Sequence, residues 1–117
     1  MNYVIKGIVI KGDGYGRKLG FPTVNLDPVA REQRGGDNLK AGVYAGEAVL
    51  NGKKYRAGIV IGPAAKIEAH LIGYAGDAYG QEVALELQKF IREYKKFDTE
   101  EELINQIEKD IKICSQA

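Results

Sequence analysis

The order of apolar and polar positions divides the chain into a long region of strand character and a short helical tail. YVIKGIVI, Tyr3–Ile10, is rich in β-branched residues and stops at Lys11-Gly12, which predicts a first strand. GVYAGEAVL (42–50) and KYRAGIVIG (54–62) flank Asn51-Gly52. An Asn-Gly pair between two apolar runs predicts a hairpin, because both central residues tolerate positive φ. KIEAHLIGY (66–74) and EVALELQKFIR (82–92) flank GDAYGQ and predict a second hairpin. REQRGGDNL (31–39) is polar and has no periodicity, so a mobile loop is expected there between the second and third strands.

The tail changes period. In FDTEEELINQIEKDIKIC, Leu103, Ile104, Ile107, Ile111 and Cys114 fall three or four apart and share one helical face. Asp98 or Thr99 can cap the helix, with Glu101 or Glu102 three residues on completing a capping box, and acids in the first turn suit the helix dipole. About five or six short strands followed by one amphipathic helix predict a small barrel or sandwich with the helix on one side or end.

At 117 residues the chain fits one domain, 1–117, with strands over about 3–92 and the helix over about 99–114. Seventeen basic residues against 16 acidic ones give no electrostatic reason to expect nucleic acid or an anionic membrane as partner. Cys114 is the single cysteine and cannot form an internal disulfide, which points to a reducing compartment, and a cytoplasmic location is expected. Lys6, Gly7, Lys11 and Gly12 break up the N-terminal apolar patches, so neither a signal peptide nor a membrane span is expected.

Candidate chemistry begins at KGDGYGRKLGFPTVNL, residues 11–26. A P-loop would end in Gly-Lys-Ser/Thr and open a helix, and a dinucleotide fingerprint also needs a helix. Here Pro22 disfavours helical geometry at Phe21 and removes a donor, so both readings fail. Gly12, Gly14, Gly16 and Gly20 let backbone N–H groups approach anionic oxygens, with Arg17 and Lys18 beside them. The alternative is a flexible turn. If residues 22–25 are extended, Thr23 and Asn25 share a face. Their hydroxyl and amide oxygens are hard donors that suit Mg²⁺ with substrate phosphates; equally, both types satisfy nearby backbone groups in turns.

GDGYGRKLGFPTVNL resembles the signature of the ATP-type riboflavin kinases, the module that in bacteria usually forms the C-terminal half of a bifunctional FAD synthetase. AGVYAGEAV, IEAHLIGYAGDAYGQEV and IREYKKFDTEEELINQIEKDI follow in the family's order, so the likeness runs from about Gly7 to Ile111. It implies a mainly β fold, a six-stranded antiparallel Greek-key barrel with a C-terminal helix. It also implies an Mg²⁺-dependent transfer of the γ-phosphate of ATP to the ribityl 5′-hydroxyl of riboflavin, giving FMN and ADP.

Alternation in KIEAHLI puts Ile67, Ala69 and Leu71 on one face and Glu68 and His70 on the other, and by pattern alone Glu68 is a surface residue. The resemblance makes Glu68 the candidate catalytic base, because it sits where the family carries one. The resemblance also makes Arg92 a flavin-binding candidate, since a guanidinium can stack on an aromatic ring; a surface arginine is the competing reading. His70 is assigned no role, and Tyr79 and Gly80 are expected to shape the hairpin. Two departures stand out: the turn at 62–66 is shorter than the family's, and the adenylyltransferase half is absent, so the chain is expected to stop at FMN unless it is an excised domain of a longer protein. A monomer is expected. Two rival readings remain, a flavin binder without turnover and, less favoured, a nucleic-acid-binding barrel; intact Thr23, Asn25 and Glu68 weigh against the first and the charge balance against the second.

Overall fold

The computed structural model describes the backbone at residues 3–12, 14, 18–34, 39–63, 66–76 and 78–116, and the side chains at all of these but 28–34. Among the described residues six strands precede one long helix. They are β1 Tyr3–Ile10, β2 Val24–Arg34, β3 Gly42–Leu50, β4 Lys53–Ile61, β5 Ile67–Leu71 and β6 Glu82–Glu93, followed by α1 Glu100–Gln116. All pairings are antiparallel and close a barrel in the order β1-β2-β5-β4-β3-β6, with β6 returning to β1. β3, β4 and β5 run up and down in sequence and β6 comes back beside β3, which is the Greek-key arrangement expected. The second predicted hairpin, 66–74 with 82–92, does not form, because β5 pairs with β2 and β4 while β6 crosses to β3 and β1.

Alternation along each strand fills the interior. Ile5, Val9, Leu50, Ile59, Val83, Leu85 and Leu87 are at most 2% exposed, and they form one cluster with Val24, Leu26, Ile61, Ile67 and Leu71. The β3–β4 turn is the predicted one: Asn51 and Gly52 have φ of 53° and 74°, and Leu50 pairs with Lys53. β3 and β6 pair with register shifts at Val43/Tyr44 and at Ala45/Gly46. At the second shift the backbone of Gly46 lies against Glu86 O so closely that a Cβ would overlap it.

The expected loop over 31–39 is corrected in part. Arg31, Glu32, Gln33 and Arg34 belong to β2 and pair with Gly7, Lys6, Ile5 and Val4. Backbone pairing needs no apolar side chain, and an irregularity in β2, where Leu26 pairs with Val9 but Arg31 with Gly7, breaks the alternation that would have marked the strand. Residues 35–38 lie outside the described residues.

Helix α1 lies on the outside of the barrel, across β3 and β4. Thr99 is its cap, with Oγ1 accepting the Glu102 N–H at 3.2 Å, and Glu100, Glu101 and Glu102 occupy the positive end. Its last turn carries no basic residue; Arg56 of β4 serves that end instead, donating from Nε to Cys114 O at 3.3 Å. Val43 and Ala45 of β3 are buried although they lie outside the core cluster, because their outward side chains sit beneath the helix. Cys114 is wholly buried over Gly58, where a Cβ would come 3.4 Å from Sγ.

Two outcomes follow from this packing. Gly46→Ala should destabilise the barrel by about 1–3 kcal/mol, read as a lower urea midpoint, because backbone must move to admit the methyl. Burial, reinforced by the Asp110 charge and opposed by Arg56, pushes the Cys114 thiol from 9.0 up to about 11. The folded state therefore resists ionisation that the unfolded chain accepts, so this contribution is complete below pH 9 and declines towards pH 11. Cys114→Ala should flatten that alkaline loss in urea titrations.

Candidate active site

The site grows out of the register. Ile10 pairs with Asn25, Asn25 with Glu68, Glu68 with Val60, Val60 with Val43, and Val43 with Arg92. One rung thus crosses all six strands near their ends. Its neighbours Val9, Val24, Ile67, Ile59 and Ile61 point into the core, so the rung itself faces outwards. Every candidate on a strand, Asn25, Glu68 and Arg92, lies on this row, with two valines between the acid and the arginine. Three strand spacings separate Glu68 from Arg92, about 14 Å measured over the curved sheet.

At one end of the row three polar side chains converge. Thr23 Oγ1 donates to Glu68 Oε2 at 3.4 Å, a long contact, while Asn25 stands opposite Glu68 in the ladder. Gly12 crosses over Asn25: a Cβ there would lie 2.6 Å from its Cγ and 2.8 Å from Oδ1. Only a glycine lets the N-terminal loop pass this close. Lys66 Nζ approaches Glu68 Oε1 at 3.2 Å, so the carboxylate is held from both sides and remains partly exposed. Lys66 is tied to the end of β4, with Gly62 N–H donating to Lys66 O at 2.8 Å.

Of the glycine-loop candidates, Gly16 and Arg17 lie outside the described residues. Gly14 and Gly20 have φ of 73° and 93°, a backbone that suits glycine. Lys18 N–H donates to Gly14 O at 3.0 Å, a bond of helical spacing, so that amide is engaged within the loop. His70, to which the sequence reading gave no role, places Nδ1 2.8 Å from Pro22 O, and the Phe21 ring meets it edge-on. Its position two residues past Glu68 on the same face was the available signal.

Arg92 occupies the other end of the row, and its guanidinium is engaged. Nε lies 3.0 and 3.2 Å from the two carboxylate oxygens of Asp110, Nη2 lies 2.8 Å from Oδ2, and Nη1 donates to Glu93 O at 3.1 Å. Gln106 donates to the same carboxylate at 2.9 Å, and the Phe97 ring lies 5.7 Å from the guanidinium. Asp110 is buried on the apolar face of α1, and sequence reasoning did not single it out. This network ties helix to barrel at the edge of the row. Asp110→Ala should cost about 2 kcal/mol, because it strips charged hydrogen bonds from a half-buried arginine. The loss is to be read from urea unfolding, and an unchanged midpoint would show that the helix is held by apolar contact alone.

A family model described as Flavokinase: Riboflavin kinase matches residues 1–117. The bifunctional riboflavin kinase/FMN adenylyltransferase of Bacillus subtilis (strain 168) is 38% identical over 122 residues, covering 92% of this chain and 36% of its own length. The chain therefore spans little more than a third of that relative. Among solved structures, a Streptococcus pneumoniae protein described as a macrolide-efflux protein superposes with a TM-score of 0.88 at 27% identity, covering 97% of this chain and 38% of that one. Riboflavin kinase from Trypanosoma brucei shares the fold, with a TM-score of 0.70 at 19% identity over 98% of this chain and 76% of that one. With the family model matched from end to end and the barrel carrying its polar cluster on one outward rung, the chain belongs to the flavokinase (riboflavin kinase) family.

Proposed function

We propose that this chain transfers the γ-phosphate of ATP to the ribityl 5′-hydroxyl of riboflavin, with Mg²⁺, to give FMN and ADP. The observation that carries the reading is the convergence of Thr23, Asn25 and Glu68 beneath Gly12. Transfer onto an alcohol needs one group to take the hydroxyl proton and cationic groups to hold the moving oxygens in line. Glu68 is a carboxylate with a partly open face at the point where β2 and β5 meet, and it accepts the proton as the 5′-oxygen attacks phosphorus. The electron pair of the breaking P–O bond leaves with ADP.

Thr23 Oγ1 and Asn25 Oδ1 are neutral hard oxygens on one face, with the Gly12 backbone packed close over the Asn25 amide, and the chemistry of this donor set fits Mg²⁺. Bound there, the ion would neutralise charge on the β- and γ-phosphates. Among the described residues no group of three or more His, Cys, Asp or Glu side chains gathers to hold a metal by itself, which suits an ion that arrives with the nucleotide. In this reading the glycine loop and the Lys18 ammonium bind the phosphates, a role also proposed for Gly16 and Arg17 outside the described residues. Lys66 gives up its contact with Glu68 as the phosphates enter, and it then stands within reach of the transferred group.

The flavin lies on the outward row between Glu68 and the Arg92–Asp110 pair, with Val60 beneath it. Arg92 arrives already oriented by Asp110, so it presents a fixed edge to the ring system and loses little freedom on binding.

The decisive assay mixes the protein with riboflavin, ATP and Mg²⁺ and looks for FMN by chromatography. Glu68→Gln should retain flavin and nucleotide binding while kcat falls by about 10²–10⁴-fold. Thr23→Ala and Asn25→Ala should weaken binding of the magnesium nucleotide as well as turnover. A Glu68→Gln protein with the parent's kcat would remove the base assigned here.

A further inference from the structure

His70 stands two residues beyond Glu68 on the same outward face of β5, and the transfer chemistry above leaves it unused. Its surroundings give it a different task. Backbone pairing between β2 and β5 has two rungs, Val24 with Ala69 and Asn25 with Glu68. The ladder stops there, and Pro22 has no N–H with which to extend it. At that break His70 Nδ1 meets Pro22 O at 2.8 Å, and Phe21 stands 6.4 Å from the imidazole with its ring turned 78°. A carbonyl oxygen only accepts, so Nδ1 carries the proton whether the ring is neutral or cationic.

Thr23 needs such support. It precedes the first rung, and its own contact with Glu68, at 3.4 Å, is too long to fix it. We propose that His70 is a positioning residue: its Nδ1–H satisfies the Pro22 carbonyl just beyond the last backbone rung and thereby holds Thr23 and Asn25 in register opposite Glu68. The part of this inference that concerns catalysis rests on the kinase reading, because only there do the two oxygens hold a metal nucleotide. The structural part does not.

Two variants separate the donor from the bulk of the ring. His70→Leu keeps an apolar side chain of similar reach and loses the donor, while His70→Asn supplies an N–H close to the place of Nδ1. Hydrogen exchange in the free protein needs no substrate. His70→Leu should speed exchange over residues 21–26 on the order of tenfold, with the β3–β4 hairpin unchanged, and His70→Asn should restore the parent rate. In turnover assays the KM for magnesium nucleotide should rise about tenfold in the leucine variant, with a smaller fall in kcat and the KM for riboflavin close to the parent's, and both changes should reverse in the asparagine variant.

Unchanged exchange in the leucine variant, or equal damage in both variants, would overturn the proposal. Altered exchange with an unaltered nucleotide KM would overturn its catalytic half. Should the leucine variant not fold, nitrogen NMR of the parent decides: a ring bearing its proton on Nε2 and none on Nδ1 ends the idea. A parent protein that makes no FMN would defeat the kinase reading, while the exchange and NMR results would still decide the role of His70.

Discussion

The barrel closes at a narrow seam. β2 and β5 are not consecutive in the chain, and two backbone rungs join them. Those rungs carry Asn25 and Glu68, so the contact that completes the sheet is also the contact that assembles the polar cluster. A slip of β2 by one residue against β5 would turn Asn25 into the core and push Val24 out. The inward packing of Val24, Leu26, Ile67 and Ala69 forbids that slip, and hydrophobic burial therefore fixes the register of the polar groups.

The same logic explains what the sequence revealed and what it concealed. Alternation is local, so the faces of Glu68 and Asn25, the Asn51-Gly52 hairpin and the stripe of α1 could be read directly. The rung that links Asn25 to Glu68, and Glu68 through Val60 and Val43 to Arg92, depends on which strands become neighbours. No local pattern states that β6 returns to β3. The second half of β2 was concealed for a related reason: Arg31 to Arg34 pair through backbone, and a register shift hides their alternation. Asp110 drew no notice in the sequence, because its partner Arg92 comes from β6. In each case the missing information was a long-range pairing.

Helix α1 is joined to the barrel through partners of different character. Cys114 rests on Gly58 in a dry contact, Arg56 satisfies the carbonyl of Cys114, and Arg92 grips Asp110. The first contributes burial. The other two fix where the helix lies, because hydrogen-bonded charges tolerate little displacement once they leave water. Arg56 also has Gln88 Oε1 at 2.8 Å and Glu47 at 3.5 Å, which spreads its charge across β3, β4 and β6. The outer surface beside the proposed flavin row is consequently framed by groups whose positions are set before any ligand arrives.

The filled interior has a consequence of its own. Many closed β-cylinders carry small molecules inside, and their cargo enters and leaves only when the wall loosens. Here aliphatic side chains from all six strands occupy that volume, so a guest has to dock against the exterior. A ligand held there leaves every strand pairing intact, so the cylinder itself can stay rigid.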